Sequence, residues 1–301
     1  MVSGILLRTE KTQNVFKMRL RIMNEQDIPA GLRLNTLAGW NQTAADWRRF
    51  LANSPRGCFV MEYDRKVVGT AATIPYESRF AWIGMVLVDS EFRKQGIGTE
   101  LLEKAIEHLD NANIRTMKLD ATPQGKPIYA KLGFAEEYEI ERWMLKRPPG
   151  RSSTAHRPTR PPLSELQREK IFQLDKELFG ADRSFLLRAL VKEGPEFATA
   201  AWADELLQAY TFGRHGLFAD HLGPWMARTP EAAENLLQTF VATSTRETLI
   251  VDFLKANSMA VELLHGFGFA PARPLTRMFR GPNVYAGSPE LFCGILGPEF
   301  G

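Results

Sequence analysis

Cysteine is nearly missing: Cys58 and Cys293 are the only two in 301 residues. A pair so far apart in sequence excludes a disulfide scaffold and a cysteine-rich zinc site. Long hydrophobic runs are missing as well, since the longest, Ala81 to Val88, is far short of a membrane span. Met1 to Leu7 has no basic residue ahead of its few apolar ones, so no signal peptide is expected. Charge of one sign is scarce: 38 Lys+Arg face 35 Asp+Glu, a net +3. With 44% hydrophobic and 24% charged residues, disorder is excluded. The length favours two domains, each able to bury a core without staples, in a soluble cytoplasmic protein.

The small positive excess is local. Arg147 to Pro162 reads RPPGRSSTAHRPTRPP, with five prolines, four arginines and no acid. Proline fixes φ and removes donors, so this is an extended linker. Without interleaved aromatics its arginines are no nucleic-acid footprint, and no nucleic-acid partner is expected. The expected organisation is an extension over 1–17, a domain over 18–146, the linker over 147–162 and a second domain over 163–301. The two domains share a plan. Cys58 to Tyr63, a turn at Asp64-Arg65 and Lys66 to Ile74 form a hairpin, which Phe197 to Trp202, Asp204-Glu205 and Leu206 to Phe212 repeat. YAKLGF (Tyr129 to Phe134) before Arg142-Trp143-Met144-Leu145 returns as LHGFGF (Leu264 to Phe269) before Thr276-Arg277-Met278-Phe279. Order and spacing match, as in an internal duplication.

Ala81 to Leu109 carries the chemistry. AWIGMVLV suits a buried strand, and it leads into Arg93-Lys94-Gln95-Gly96-Ile97-Gly98-Thr99. Ile97, Leu101, Leu102, Ala105, Ile106 and Leu109 then fall on one helical face. Gly96 and Gly98 let backbone approach a ligand, and the first-turn amides and helix dipole favour an anion such as a pyrophosphate. The spacing fits neither a Walker A loop nor G-x-G-x-x-G. Downstream, Gly125 to Leu132 reads as a short helix with Pro127 in its first turn, carrying Tyr129 and ended by Gly133.

The V-x-V-D strand end, the R-x-x-G-x-G loop opening a helix and Y-x-x-x-G-F about thirty residues later resemble the GNAT superfamily of acyl-CoA-dependent N-acetyltransferases. The resemblance spans Met18 to Lys146. GWNQT, the LDATP-G-x-P-x-Y run, HLGPW and the Gly297-Pro-Glu motif are similar to tandem members whose second domain has diverged. It implies an α+β fold of two tandem GNAT-like domains, each a central, mostly antiparallel sheet flanked by helices. It implies acetyl-CoA as co-substrate, its pyrophosphate on the backbone of Arg93, Lys94, Gln95, Gly96, Ile97, Gly98 and Thr99. Its pantetheine arm would lie on Leu87 and Val88, with the thioester carbonyl on main-chain N–H groups near Val86. Tyr129 would be the general acid for the departing thiolate. The acceptor would be a primary amine of a small molecule or peptide.

A base is not evident. Many members carry a Glu on the strand that here reads AWIGMVLV, which has none; water, Glu77, Asp220 or His221 remain as alternatives. Trp40, Asn41 and Gln42 join two helices, the second capped by Thr43, beside the acceptor pocket or as core. His215 and His221 lack carboxylate or thiolate spacing, so no metal is expected. In the second domain Leu264 stands at the tyrosine position, and Thr229-Pro230-Glu231 replaces the loop with a proline start and a negative charge. That domain is expected to bind no CoA and to wall the acceptor pocket through His221, Trp225, Tyr285 or the Pro298-Glu299-Phe300 segment. A non-catalytic acyl-CoA sensor is the rival reading.

Overall fold

A computed structural model describes residues 18–148 and 161–301. The extension over 1–17 and all but the ends of the basic linker lie outside the described residues. The first half runs β1 (Met18–Ile22), α1 (Ile28–Ala38), α2 (Ala44–Asn53), β2 (Cys58–Tyr63), β3 (Lys66–Tyr76), β4 (Phe80–Val88), α3 (Ile97–Asn111), β5 (Met117–Ala121), α4 (Lys126–Lys131) and β6 (Ala135–Lys146). The second runs α5 (Glu165–Phe179), α6 (Ser184–Glu193), β7 (Thr199–Ala203), β8 (Leu206–His215), β9 (Asp220–Ala227), α7 (Pro230–Thr243), β10 (Thr248–Leu254), α8 (Ser258–Gly266), β11 (Ala270–Arg280) and β12 (Phe292–Gly294). The repeated plan is therefore real at the level of elements.

Local chemistry explains the boundaries. Asp64 and Arg65 take φ of 47° and 62°, the left-handed pair that a tight hairpin between twisted strands requires. Thr43 opens α2, its backbone N–H donating to Asp46 at 2.7 Å. The α3 stripe expected from the sequence is buried, from Ile97 to Leu109, and packs on β2, β3 and β4. Gly133 ends the α4 turn with φ 85°.

The halves do not keep separate sheets. Among the described residues twelve strands form one sheet, ordered β1-β2-β3-β4-β5-β11-β6-β10-β9-β8-β7, with β12 beside β9. The last long strand of each half has crossed over: β11 lies between β5 and β6, and β6 lies between β11 and β10. The expectation of a sheet for each domain is corrected to one continuous mixed sheet. Periodicity shows that β6 and β11 are strands, but it carries no record of which half supplies their neighbours.

Three large cores follow from this layout, with a small fourth cluster of Ile140, Leu254, Leu275 and Ile295. α3 covers its face of the first half, and α7 with α8 covers that of the second. On the opposite face α1, α2, α5 and α6 share one core that holds Trp47, Phe50, Tyr76, Phe172, Tyr210 and Phe300. Because β6 forms no ladder with its own half, residues 1–148 produced alone are expected to give no folded monomer. Size-exclusion chromatography with circular dichroism checks this, and a well-folded monomer would mean that β6 can turn back onto β5.

Candidate active site

The site begins as a gap in the sheet. β4 and β5 run parallel but share only the pairs Ala81↔Met117 and Trp82↔Lys118. On its other edge β4 bulges, its pairing with β3 jumping from Ala72↔Gly84 to Thr70↔Leu87. Met85 at the bulge has φ 56°, and its carbonyl accepts from Thr70 Oγ1 at 2.8 Å. Such a bulge re-aims a strand and takes its backbone out of the ladder. The parted strands open a cleft enclosing about 520 Å³, part of it open to solvent. Val86, Tyr129, Trp40 and Gln42 line it together with Asp120, Arg273, Pro298 and Glu299.

At one end of β4 lies the glycine loop. Arg93 to Gly96 are exposed, Lys94 and Gly96 have φ of 63° and 83°, and no side chain caps the first turn of α3. Its amides are free for an anion. A Cβ at Gly96 would meet nothing within 4 Å, and one at Gly98 only Val88 Cγ2 at 3.5 Å, so space lies open above the loop. Arg93 Nε donates to the Val88 carbonyl at 3.1 Å, while the Leu87 side chain is buried in the shared core.

Tyr129 stands on α4. Its ring lies over Gly125, where a Cβ would come within 2.8 Å of Cε2, so any larger residue there would displace it. Burial pushes the phenol up to about 12, and it keeps its proton throughout the neutral range. Asp120 faces the cleft fully paired, receiving Arg277 Nε and Nη2 at 2.8 Å each.

The far wall comes from the second half. The segment after β12 crosses to the first half, where Trp82 Nε1 donates to the Pro298 carbonyl at 2.9 Å and the Tyr76 hydroxyl to that of Phe300 at 2.6 Å. Gly84 is the seat: a Cβ there would lie 2.7 Å from the Glu299 carbonyl oxygen. The Glu299 carboxylate receives Gln42 Nε2 at 2.9 Å and is ion-paired with Arg214. It is the backbone of Glu299, not this carboxylate, that lies against β4. The Pro-Glu-Phe motif was legible, but its seat was not.

Other expected residues lie elsewhere. Asn41 is consumed by the seam between halves: its Nδ2 donates to Ala219 O at 3.1 Å, and its Oδ1 accepts from the Phe218 and Ala219 amides. Trp225 is fully buried in the second core. His221 lies on β9, not in a loop, and is buried between Arg214 at 3.1 Å and Asp252 at 3.0 Å. Burial, then Arg214, lowers its pKa, against Asp252. Neither His221 nor Trp225 lines the cleft. Tyr285 stacks under Arg79, 5.3 Å from its ring centroid, outside the cleft. Glu77 is bound to Lys176 at 2.9 Å, and Asp220 to His215 and Ser244. Among the described residues no group of His, Cys, Asp and Glu could hold a metal ion, and no helix is long and apolar enough to cross a membrane.

The corresponding gap in the second half is closed. β9 and β10 share three parallel pairs, and where they part, β12 pairs with β9 at Phe292↔Met226 and Gly294↔Trp225. The Ile295 amide continues onto the Asp252 carbonyl at 2.8 Å. Leu264, at the place of Tyr129, is fully buried. The α7 start is capped by Thr229, whose Oγ1 accepts from the Ala232 amide at 3.3 Å.

Residues 24–134 match the model of the Acetyltransferase (GNAT) family, and residues 171–293 that of an Acetyltransferase (GNAT) domain. The uncharacterized N-acetyltransferase YitH of Bacillus subtilis is 24% identical over 252 residues, 82% of this chain and 86% of its own. A candidate acetyltransferase from Pyrococcus horikoshii superposes with a TM-score of 0.75 at 22% identity, covering 98% of this chain and 100% of its own. A GCN5-related N-acetyltransferase from Sphaerobacter thermophilus gives 0.65 at 17% identity, over 89% and 97%. At these identities the two structures speak for the fold.

Proposed function

This chain belongs to the GNAT superfamily of N-acetyltransferases, with one GNAT domain in each half, and from that premise we propose that it has a single active site, in the cleft between β4 and β5. The observation that carries this reading is the open gap in the first half set against the filled gap in the second. Acetyl-CoA is the co-substrate. The backbone of Arg93 to Thr99 holds its pyrophosphate, and Leu87 and Val88 flank its pantetheine arm. The open space above Gly96 and Gly98 and the uncapped α3 start fit such a group.

The acceptor is a primary amine of a small molecule or peptide entering from the side of Trp40 and Gln42. Its nitrogen attacks the acetyl carbonyl; an N–C bond forms and the C–S bond breaks. Backbone N–H at Val86 receives the charge that develops on the carbonyl oxygen. Tyr129 gives its phenolic proton to the departing sulfur, the nitrogen loses a proton to water, and solvent restores the phenol.

Two measurements on the full chain test this. Calorimetry with CoA is expected to give one site per chain; two sites would overturn the single-site reading. Acetyl-CoA with a panel of amines is expected to release free thiol. Tight CoA binding without turnover on a broad panel would instead identify an acyl-CoA sensor.

A further inference from the structure

The buried arginines of this protein form a nearly closed set of pairs. Arg142 holds Asp252 through two hydrogen bonds of 2.7 and 2.6 Å. Arg183 holds Asp175 at 2.8 and 2.9 Å, and Arg277 holds Asp120. Arg214 is paired with Glu299, and Arg49 with Asp46 and Glu193. Arg273, half-buried on β11, breaks the pattern. Its Nε is buried with no hydrogen-bond partner among the described residues, and no carboxylate there forms an ion pair with it. It lines the active-site cleft on the acceptor side, its guanidinium 5.9 Å from the centroid of Trp40. Across the ladder between β11 and β6 it faces Arg142, an arrangement of like charges that costs stability. Burial, and then Arg142, pull its pKa down to about 10, so it remains a cation at neutral pH.

A second orphan lies in the same cleft. Gln42 is 4% exposed, and its Nε2 is committed to Glu299 at 2.9 Å. That bond fixes the amide's orientation and leaves Oε1 buried without a partner. One acceptor and one cationic donor, both unsatisfied, therefore border a single cavity. Unsatisfied buried polar groups carry a desolvation cost that a ligand can remove. A second cavity, walled by Phe80, Phe179 and Phe292, contains Arg183 and Arg277, both already paired, and calls for no anion.

We propose that the acceptor is a small amine that also bears a carboxylate: Arg273 receives the carboxylate, and Gln42 Oε1 accepts an N–H of the amine. The proposal rests on the transferase reading above and narrows its substrate class. A guanidinium fork matches a carboxylate in two parallel hydrogen bonds, which a lysine cannot reproduce. Glu299 and Asp120 also border the cleft, but each is neutralised by its own arginine, so Arg273 is left as the cleft's unbalanced charge.

The test is thiol release from acetyl-CoA by the full chain with matched acceptors: amino acids and short peptides with free carboxylates, their carboxamides, and ω-amino acids beside the corresponding alkylamines. Carboxylate-bearing members are expected to exceed their neutral partners by about 10- to 100-fold in kcat/KM. Arg273→Gln and Arg273→Lys should each remove most of that preference, chiefly through KM. Turnover of the neutral partners should fall far less than that of the acids, CoA affinity should hold, and Arg273→Gln, which removes the charge facing Arg142, should not lower the melting temperature. Equal use of acids and amides, an equal loss on both in either variant, or a fall in CoA affinity would overturn the proposal while leaving the transferase reading intact. Turnover of no acceptor by a protein that holds CoA overturns both. A preference confined to peptides would replace the small amine with a peptide's terminal carboxylate.

Discussion

Tyr129→Phe is expected to lower kcat by about 10²- to 10³-fold, the span of a lost general acid, while CoA affinity and fold stability stay as they were. The hydroxyl of Tyr129 is the one group removed. Its ring packs over Gly125 and against Phe134, with centroids 6.3 Å apart, and phenylalanine preserves both contacts. Its hydroxyl makes no hydrogen bond among the described residues, so its loss leaves no partner stranded. Single-turnover kinetics read by free thiol, beside calorimetry with CoA, separate chemistry from binding. The pH profile adds a sharper check. Burial raises the phenol to about 12, so the acid form persists through pH 10. A fall in wild-type kcat between pH 8 and 10 therefore belongs to another group and should survive in Tyr129→Phe. A variant with kcat within threefold of wild type would remove Tyr129 from the reaction.

Asp252→Ala should be the costliest single change outside the cleft, about 3–5 kcal/mol by urea unfolding. Asp252 on β10 belongs to the second half and Arg142 on β6 to the first, and both are buried. Removing the carboxylate leaves a guanidinium in the protein interior without its hydrogen-bonded counter-charge. Replacing both, as Arg142→Met with Asp252→Leu, should recover part of the loss, because the guanidinium goes with its counter-charge and only His221 loses a neighbour. Burial alone would push the Asp252 carboxyl up; Arg142 and His221 more than reverse this and hold it below the usual carboxylate range. A depressed carboxyl contributes stability that is present above the unfolded pKa, near 4, and fades only in strong acid. Unfolding midpoints should accordingly show no pH dependence from this pair between pH 5 and 8. A loss below 1 kcal/mol in Asp252→Ala would mean that strand pairing alone holds the seam.

What could be read in advance was whatever local pattern encodes. The apolar run over β4, the stripe of α3, the glycine at φ 83° and the α4 turn all follow from periodicity, capping and glycine placement within a few residues. The resemblance carried Tyr129 and the loop to their positions. Three things were beyond reach. The exchange of β6 and β11 depends on pairing between residues more than a hundred apart, as at Arg142 and Asp252. The plug formed by β12 is three residues long, Phe-Cys-Gly, too short to show a period. Arg273 sits between Ala272 and Pro274, where sequence alone cannot tell an exposed arginine from a half-buried, unpaired one. Asn41 and His221 show a related limit: a polar side chain used up by the seam looks, in sequence, like one waiting for a ligand.

The crossed strands have a further consequence. Two identical chains exchanging their last strands would present two equal clefts, and any substitution that improved one wall would appear in both. Joined in one polypeptide, the copies occupy equivalent places without having to carry equivalent residues. If acetyl-CoA is held as proposed, donor chemistry can stay fixed in β4, α3 and α4, while β11 and the Pro298-Glu299 segment vary independently to fit another acceptor. The twofold arrangement persists in the backbone, and its breakage in the side chains is what leaves one cleft with two differently specialised sides.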